Sequence, residues 1–493
     1  MHKNIYVVFV IFTLFSLISC QESNWNTLPL INTTGPTVAT THWVGDWNAD
    51  GSGAMLFSSV WNGRFYNSNF SAPFPEPDSG VYIIENIDRV LKGVENASIT
   101  LLTGVLNWTT TFIGFPVGGL EDLEFPFRGF LASTGRFPQL RFFNIPGRPQ
   151  ILSVPGKIAL VDVTNSRDAI VHVITPPNDS GDLCEYYYQT MKLYDINGDG
   201  LLDIVSIRTR DWVCTVPPTL LPGPTGFYNL TAEFIALLQP SDPQAKLQPW
   251  SLVVLYNFRD TGIVGLGVGG LFDFADLNDK KDSQPELIVA NFFFPELAIY
   301  TLGKLNETWL TPGKQVNRVI VDNSLGGMYD VEIVDLNGDK DVEIVATTHT
   351  VRADNGIYAY EILDAFRNLT FTNSSVINLT GTNTRHALAT NFSIFGRLPG
   401  AQRYRTGTFA VIPGKNKNRK PSLAVSTDGG GELVVISPND EKKDNWNYTK
   451  TTLYQFGADV LDPIVYDSDY DGKYEISASV IAGDAIVSFE FVN

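Results

Sequence analysis

Sulfur is scarce in this chain, with three cysteines and four methionines among 493 residues. So few thiols exclude a disulfide-built scaffold, and there is no CxxC pair to hold zinc. Histidine is scarce too: beyond the N-terminal segment only His42, His172, His349 and His386 remain, none in a zinc-binding spacing, and HExxH is absent. No serine stands in a nucleophile elbow. Cationic residues number 35 against 53 acidic ones, a net charge of −18. Nothing here could neutralise a phosphate backbone, so nucleic acid is excluded as a partner; the acidic surplus suits divalent cations, and equally suits plain solubility. After the first twenty residues no apolar run is long enough to span a bilayer, and the closing FEFVN is no lipid-anchor tail.

What the chain does have is 42 glycines and 28 prolines, a turn-rich composition that favours an all-β fold over long helices. Its length would suit about two to four domains, with a β-propeller as the single-unit exception. Residues 1–20 have a basic start and an apolar run from Ile5 to Ser19, the form of a secretory signal peptide, leaving 21–493 as the mature chain. Leu17-Ile18-Ser19-Cys20 also has the form of a bacterial lipobox, which would anchor a lipid at Cys20. Twelve Asn-x-Ser/Thr sequons, at Asn32, Asn69, Asn96, Asn107, Asn178, Asn229, Asn306, Asn368, Asn373, Asn378, Asn391 and Asn447, favour a eukaryotic secreted glycoprotein instead. In an oxidising compartment Cys184 and Cys214 would pair, the alternative being two buried thiols.

One motif recurs three times: DINGDGLLDIV from Asp195, DLNGDKDVEIV from Asp335 and DSDYDGKYEIS from Asp467. Each puts oxygen-bearing side chains at its first, third and fifth positions and a tight turn about the sixth. A carboxylate at the ninth already belongs to an apolar strand. Calcium takes six to eight oxygens in a flexible shell, and this pattern supplies most of them. The expected ligands are Asp195, Asn197, Asp199, Asp203 and the Leu201 carbonyl; Asp335, Asn337, Asp339, Glu343 and the Asp341 carbonyl; and Asp467, Asp469, Asp471, Glu475 and the Lys473 carbonyl. The third set, with four carboxylates, should bind tightest. An EF-hand is excluded because its twelfth position requires glutamate and these have Ser206, Ala346 and Ala478. A metal-free Asx-rich turn is the plainer reading, against which clustered carboxylates repel one another without a cation.

Degenerate relatives lie at residues 46–54, where Asp46, Asn48 and Asp50 fit but Ala54 replaces the last acid. In residues 276–286, Asp276 and Asn278 fit, while a two-residue insertion moves Glu286 away and leaves Asp282 as its substitute. Versions without acids begin at Asn144 and at Ile412; the latter's Lys415, Lys417, Arg419 and Lys420 read as a solvated face. These loops number seven. A second series of seven apolar strands runs in phase with them, at residues 81–84, 158–161, 252–255, 297–300, 357–360, 433–436 and 486–489, each read as the third strand of its unit, with a weaker fourth strand such as 375–379. Four short strands per repeat make a propeller blade. The last unit runs out after its third strand, so its outer strand is expected from residues 28–34.

The loops resemble the FG-GAP/VCBS repeats of the integrin α-chain N-terminal propeller and of secreted microbial and fungal proteins. The resemblance implies a single seven-bladed β-propeller, with Ca2+ in the hairpins between first and second strands and ligands engaged on the opposite face. The chain lacks the leg domains and membrane anchor of integrin α-chains. An extracellular protein or carbohydrate is therefore the expected partner. Trp61, Arg64, Arg210, Asp211, Trp212, Asn291, Phe292, His349, Arg352 and Asp428 fall in connections that such a register turns to the opposite face, where aromatic rings could stack on sugars. The alternative is a carbohydrate-active enzyme of polysaccharide lyase or sugar dehydratase type on that face, with His349 and Arg352 as first candidates, which requires His349, Arg352, His386 and Asp211 to converge. Gly265–Gly270 matches GxGxxG, but the strand-like Leu271-Phe272-Asp273-Phe274 follows it, so it reads as a turn.

Overall fold

The computed structural model describes residues 25–32, 40–45, 53–58, 81–103, 110–117, 129–134, 157–162, 170–177, 186–211, 230–258, 271–277, 284–291, 294–304, 307–349, 354–371, 376–392, 406–414, 419–427, 431–455, 460–469, 471–480 and 485–491. The expected leader over 1–20, Cys184 and Cys214 fall outside them.

The chain is all-β with a β-propeller arrangement. Among the described residues its strands pair into seven sheets, nearly all as antiparallel meanders of sequence neighbours. Sheet I holds Thr40–Gly45, Ala54–Ser58, Val81–Ile84 and Ile99–Thr103. Sheet II holds Thr110–Val117, Gly129–Thr134, Lys157–Asp162 and Ile170–Val173. Sheet III holds Tyr187–Tyr194, Asp203–Asp211, Leu230–Leu238 and Ser251–Asn257. Sheet IV holds Phe272–Ala275, Glu286–Asn291, Glu296–Leu302 and Val316–Asp322. Sheet V holds Met328–Val334, Glu343–Thr348, Gly356–Glu361 and Thr384–Thr390. Sheet VI holds Thr406–Ile412, Ser422–Thr427, Glu432–Pro438 and Tyr448–Gln455. Sheet VII holds Val460–Tyr466, Glu475–Val480 and Ala485–Phe491, and its outer edge is covered by Trp25–Thr27 and Ile31–Asn32, both antiparallel to Ala485–Phe491.

Three expectations about strand order are corrected. The loop from Asn144, expected between first and second strands, follows the second strand of sheet II, Gly129–Thr134, and precedes its third, Lys157–Asp162. The third strand of sheet III is Leu230–Leu238, and the run at 252–255 belongs to the fourth. Val376–Asn378 does not complete sheet V; it pairs in parallel with Val316–Asp322 at the rim of sheet IV, while Thr384–Thr390 closes sheet V.

The strands follow from their burial. Glu286–Asn291, Glu343–Thr348 and Glu475–Val480 are buried at every position. Strands covered on both faces must read as continuous apolar or small residues instead of alternating. The covering comes from sheet-on-sheet packing in chain order. Val205 and Phe234 pack with Phe272 and Trp309, Ile299 with Ile344, Val345 with Phe409 and Val425, and Ala424 with Ile476. Ile486 and Tyr466 of sheet VII pack in turn on Met55, Phe57 and Ile84 of sheet I.

Bulges in the innermost strands, between Met328 and Val331 and between Thr406 and Phe409, turn polar groups to their neighbours. Asp330 accepts the Phe409 N–H at 2.9 Å, Thr408 donates to Asp462 at 2.9 Å, and Asp273 accepts the Ile333 N–H at 3.1 Å while pairing with Lys192 at 3.3 Å. Burial pushes the neighbouring Glu332 up to about 7. Among the described residues no helix is long and apolar enough to cross a membrane.

Candidate metal centre

The first-to-second-strand hairpins of sheets III, V and VII share one geometry. The opening aspartate folds the turn around itself: Asp195 accepts the N–H groups of Gly198 at 2.7 Å, Asp199 at 3.1 Å and Gly200 at 2.9 Å. Asp335 does the same for Gly338 at 2.7 Å, Asp339 at 3.1 Å and Lys340 at 3.0 Å. Asp467 accepts Asp471 at 3.0 Å and Gly472 at 2.9 Å. The turn needs the left-handed region at its sixth position, φ 86° at Gly200 and 81° at Gly472, and Lys340 adopts 82° there at a steric cost that glycine avoids. The fifth-position carboxylates accept the N–H of Leu201, Asp341 and Lys473, each at 2.8 Å.

The ninth-position acid is the first residue of the second strand, and it reaches back to the second-position N–H. Asp203 accepts from Ile196 at 3.2 Å, Glu343 from Leu336 at 2.7 Å and Glu475 from Ser468 at 2.7 Å. All three are buried. Burial, opposed by these bonds and reinforced by the neighbouring aspartates, pushes Asp203 up to about 6, Glu343 up to about 8 and Glu475 up to about 7.

Sheet IV corrects the expectation about its hairpin. Glu286 is not displaced by the insertion: it too starts the second strand, lies opposite Ala275, is buried, and accepts the Leu277 N–H at 2.8 Å and the Thr301 hydroxyl at 3.0 Å. The extra residues lie between Leu277 and Gln284, outside the described residues. Asp276 is exposed at the start of the turn, while Asn278 and Asp282 lie outside the described residues, as do Asp46, Asn48 and Asp50 of the first-sheet loop and the loop from Asn144. The acid-free hairpin of sheet VI is also corrected in part: Lys420 is buried, not solvated, and its Nζ donates to the Asn445 carbonyl at 2.6 Å.

Do the donors fit a hard cation? In sheet VII carboxylate oxygens of Asp467, Asp469 and Asp471 lie within 4.8 Å of one another. Two oxygens that share an ion at 2.3–2.6 Å are at most about 5 Å apart, so this convergence suits calcium. Lys92, from the turn after the short helix Ile87–Leu91 of sheet I, donates to Asp469 at 2.6 Å, and Lys473 donates to Asp471 at 2.6 Å. In sheets III and V the third position is an amide whose Nδ2 donates to the fifth-position carboxylate, Asn197 to Asp199 at 2.9 Å and Asn337 to Asp339 at 3.1 Å. Asn197 and Asn337 accept the Asp199 and Asp339 N–H through Oδ1, both at 2.8 Å. The side chains in the expected sets of all three hairpins offer oxygen, but among the described residues only Asp467, Asp469 and Asp471 converge; the carboxylates of sheets III and V, and Glu475, are not brought into such a cluster. Lys92 is the residue the sequence reading missed, because its contact joins the two ends of the chain.

At the opposite end of the strands, the described candidates are placed apart. His349 is buried and stacks on Tyr329, ring centroids 4.9 Å apart, whereas His386 lies on the outermost strand of the same sheet, stacked on Trp446 at 4.2 Å and 2.6 Å from Glu361. The two histidines do not converge. Asn291 is buried and donates to Glu296, which also takes Arg318, so it is not a surface group. Arg210 and Asp211 end the second strand of sheet III; Trp61, Arg64, Trp212, Phe292, Arg352 and Asp428 lie outside the described residues.

No family model and no curated protein sequence matches the chain. Solved structures do. An oxidoreductase (glucose dehydrogenase) of Thermus thermophilus is 12% identical over 77% of this chain and 99% of its own, with a TM-score of 0.35. The sialidase of Trypanosoma rangeli is 9% identical over 81% of this chain and 57% of its own, with a TM-score of 0.37. The biofilm matrix protein Bap1 of V. cholerae is 18% identical over 60% of this chain and 34% of its own, with a TM-score of 0.29. At such scores these likenesses say nothing of what this chain binds.

Proposed function

We propose that the chain is a secreted glycoprotein, a calcium-stapled β-propeller whose seven sheets are the seven blades of one ring, acting as an extracellular binding module for a protein or a glycan. The observation that carries the calcium reading is the recurrence of one hairpin geometry in sheets III, V and VII, with three carboxylates converging at Asp467, Asp469 and Asp471. Calcium at these hairpins would be held by Asp195, Asn197, Asp199 and Asp203, by Asp335, Asn337, Asp339 and Glu343, and by Asp467, Asp469, Asp471 and Glu475. It would supply charge compensation, not chemistry: buried carboxylates that resist ionisation become favourable beside a cation. A repeat of the FG-GAP/VCBS kind accounts for the pattern. Seven blades are supported by the packing of each sheet on the next and of the last on the first.

With the hairpins acting as staples, ligand recognition falls to the other end of the strands, where the second-to-third-strand connections lie. Equilibrium dialysis against calcium should find three tight sites, the tightest lost in Asp469→Ala. Binding of no calcium at millimolar concentration would sink the reading. A glycan array and an extracellular-protein array then test the partner class.

A further inference from the structure

Six of the sequon asparagines are among the described residues, and all six are exposed: Asn32, Asn96, Asn368, Asn378, Asn391 and Asn447. The large apolar side chains exposed among the described residues are Leu30, Val94, Ile170, Val254 and Val376. Three of these stand two residues before a sequon asparagine: Leu30 before Asn32, Val94 before Asn96 and Val376 before Asn378. Residues two apart in an extended chain share a face about 7 Å apart, as at Leu30 and Asn32 and at Val376 and Asn378; Val94 lies in the bend after the helix Ile87–Leu91, where its N–H donates to the Arg89 carbonyl at 2.9 Å. At two of the three sites the residue between is turned inward, Ile31 into the core beside sheet I and Ile377 against the core between sheets IV and V.

The three sites also sit where a β-protein is most at risk. Ile31–Asn32 and Val376–Asn378 are outermost strands, and Asn96 lies three residues before Ile99, the start of the outermost strand of sheet I. An outer strand with an exposed aliphatic side chain is a template for pairing with another chain. At Asn378 the side-chain Oδ1 accepts the Thr380 N–H at 2.9 Å, so the sequon is held as an Asx turn. Among the described residues Nδ2 of Asn32, Asn96 and Asn378 has no protein acceptor. At Asn368 and Asn447, by contrast, Nδ2 donates to the Asp364 carbonyl and to Asn445 Oδ1, both at 2.7 Å, and the residues two before them are the buried Phe366 and the polar Asn445.

We propose that N-glycans at Asn32, Asn96 and Asn378 lie through the C–H face of their first sugar on Leu30, Val94 and Val376, and thereby guard the outer strands against pairing with other chains. This rests on the reading of the chain as a secreted glycoprotein. Attachment forms a bond between Nδ2 and the anomeric carbon of the sugar. It breaks that carbon's bond to oxygen in a lipid pyrophosphate donor, and releases the lipid pyrophosphate and one amide proton.

The test is secretion of the full chain from a eukaryotic host, with glycopeptide mass analysis and light scattering of the product. Asn32→Gln, Asn96→Gln and Asn378→Gln should each raise the aggregated fraction several-fold, whereas Asn368→Gln and Asn447→Gln should not. Adding Leu30→Ser, Val94→Ser or Val376→Ser to the matching glutamine variant should return aggregation to the parental level, which a merely solubilising glycan would not allow. If no sequon carries sugar, the glycoprotein reading falls and the inference with it. If sugars are present but the glutamine variants aggregate no more than the parent, or serine gives no rescue, the inference alone is overturned.

Discussion

The hairpins of sheets III, V and VII and the hairpin of sheet VI solve one problem in two ways. Opposite the last residue of the first strand stand Asp203, Glu343 and Glu475 in the acidic hairpins, but Ser422 in sheet VI. The acidic hairpins close through carboxylates that accept backbone N–H groups, and on the proposed reading a cation offsets their charge. In sheet VI Lys420 is buried and donates through Nζ to the Asn445 carbonyl, its N–H going to Glu441 at 2.9 Å. Its turn is closed by contact, since a Cβ on Gly414 would lie 2.4 Å from the Arg419 carbonyl oxygen. The acidic turns are thus held by carboxylates that accept backbone N–H groups, and the sheet VI hairpin by a lysine that donates to a backbone carbonyl.

Breaking the acid side should have the largest effect. Glu343→Ala leaves the buried Leu336 N–H without its acceptor and removes the cation's ligand, and should cost about 3 kcal/mol in calcium by denaturant unfolding. Glu343→Gln keeps an acceptor and should match the parent in chelator while losing the calcium-dependent gain. Equal losses for alanine and glutamine in chelator would assign the effect to something other than the hydrogen bond. On the other side, Gly414→Ala should cost about 1–3 kcal/mol regardless of calcium, because overpacking against backbone cannot relax cheaply.

Smaller changes sharpen the contrast. Lys340→Gly removes the left-handed strain that Gly200 and Gly472 avoid, and should raise stability by about 1 kcal/mol. Lys92→Ala frees Asp469 from an exposed ion pair, which is worth at most about 1 kcal/mol, so calcium titration should show the sheet VII site tightened a few-fold at most and the others unmoved.

Much of this was legible because each ninth-position acid opens an apolar strand; Asp203, Glu343 and Glu475 stand where the spacing put them. Spacing along the chain places Glu286 out of register, whereas the structure keeps it opposite Ala275. Leu230–Leu238 was missed as a strand because a run buried on both faces has no alternation to mark it. Thr384–Thr390 was missed for the opposite reason: an outermost strand is half exposed and its pattern is weak. No pattern in one sequence could show that Val376–Asn378 crosses to sheet IV or that Lys92 meets Asp469.

The most direct test of the calcium staples is the melting temperature in calcium and in EGTA at about pH 5 and about pH 8. Asp203, Glu343 and Glu475 are raised in the folded chain, so without a cation the folded state holds protons that the unfolded chain releases. That stability is full below the ordinary carboxylate range and is lost as pH rises through about 6, 8 and 7 respectively. Calcium should therefore raise the melting temperature at both values and by more at the higher pH. Superimposable melts in calcium and EGTA at the higher pH would contradict it.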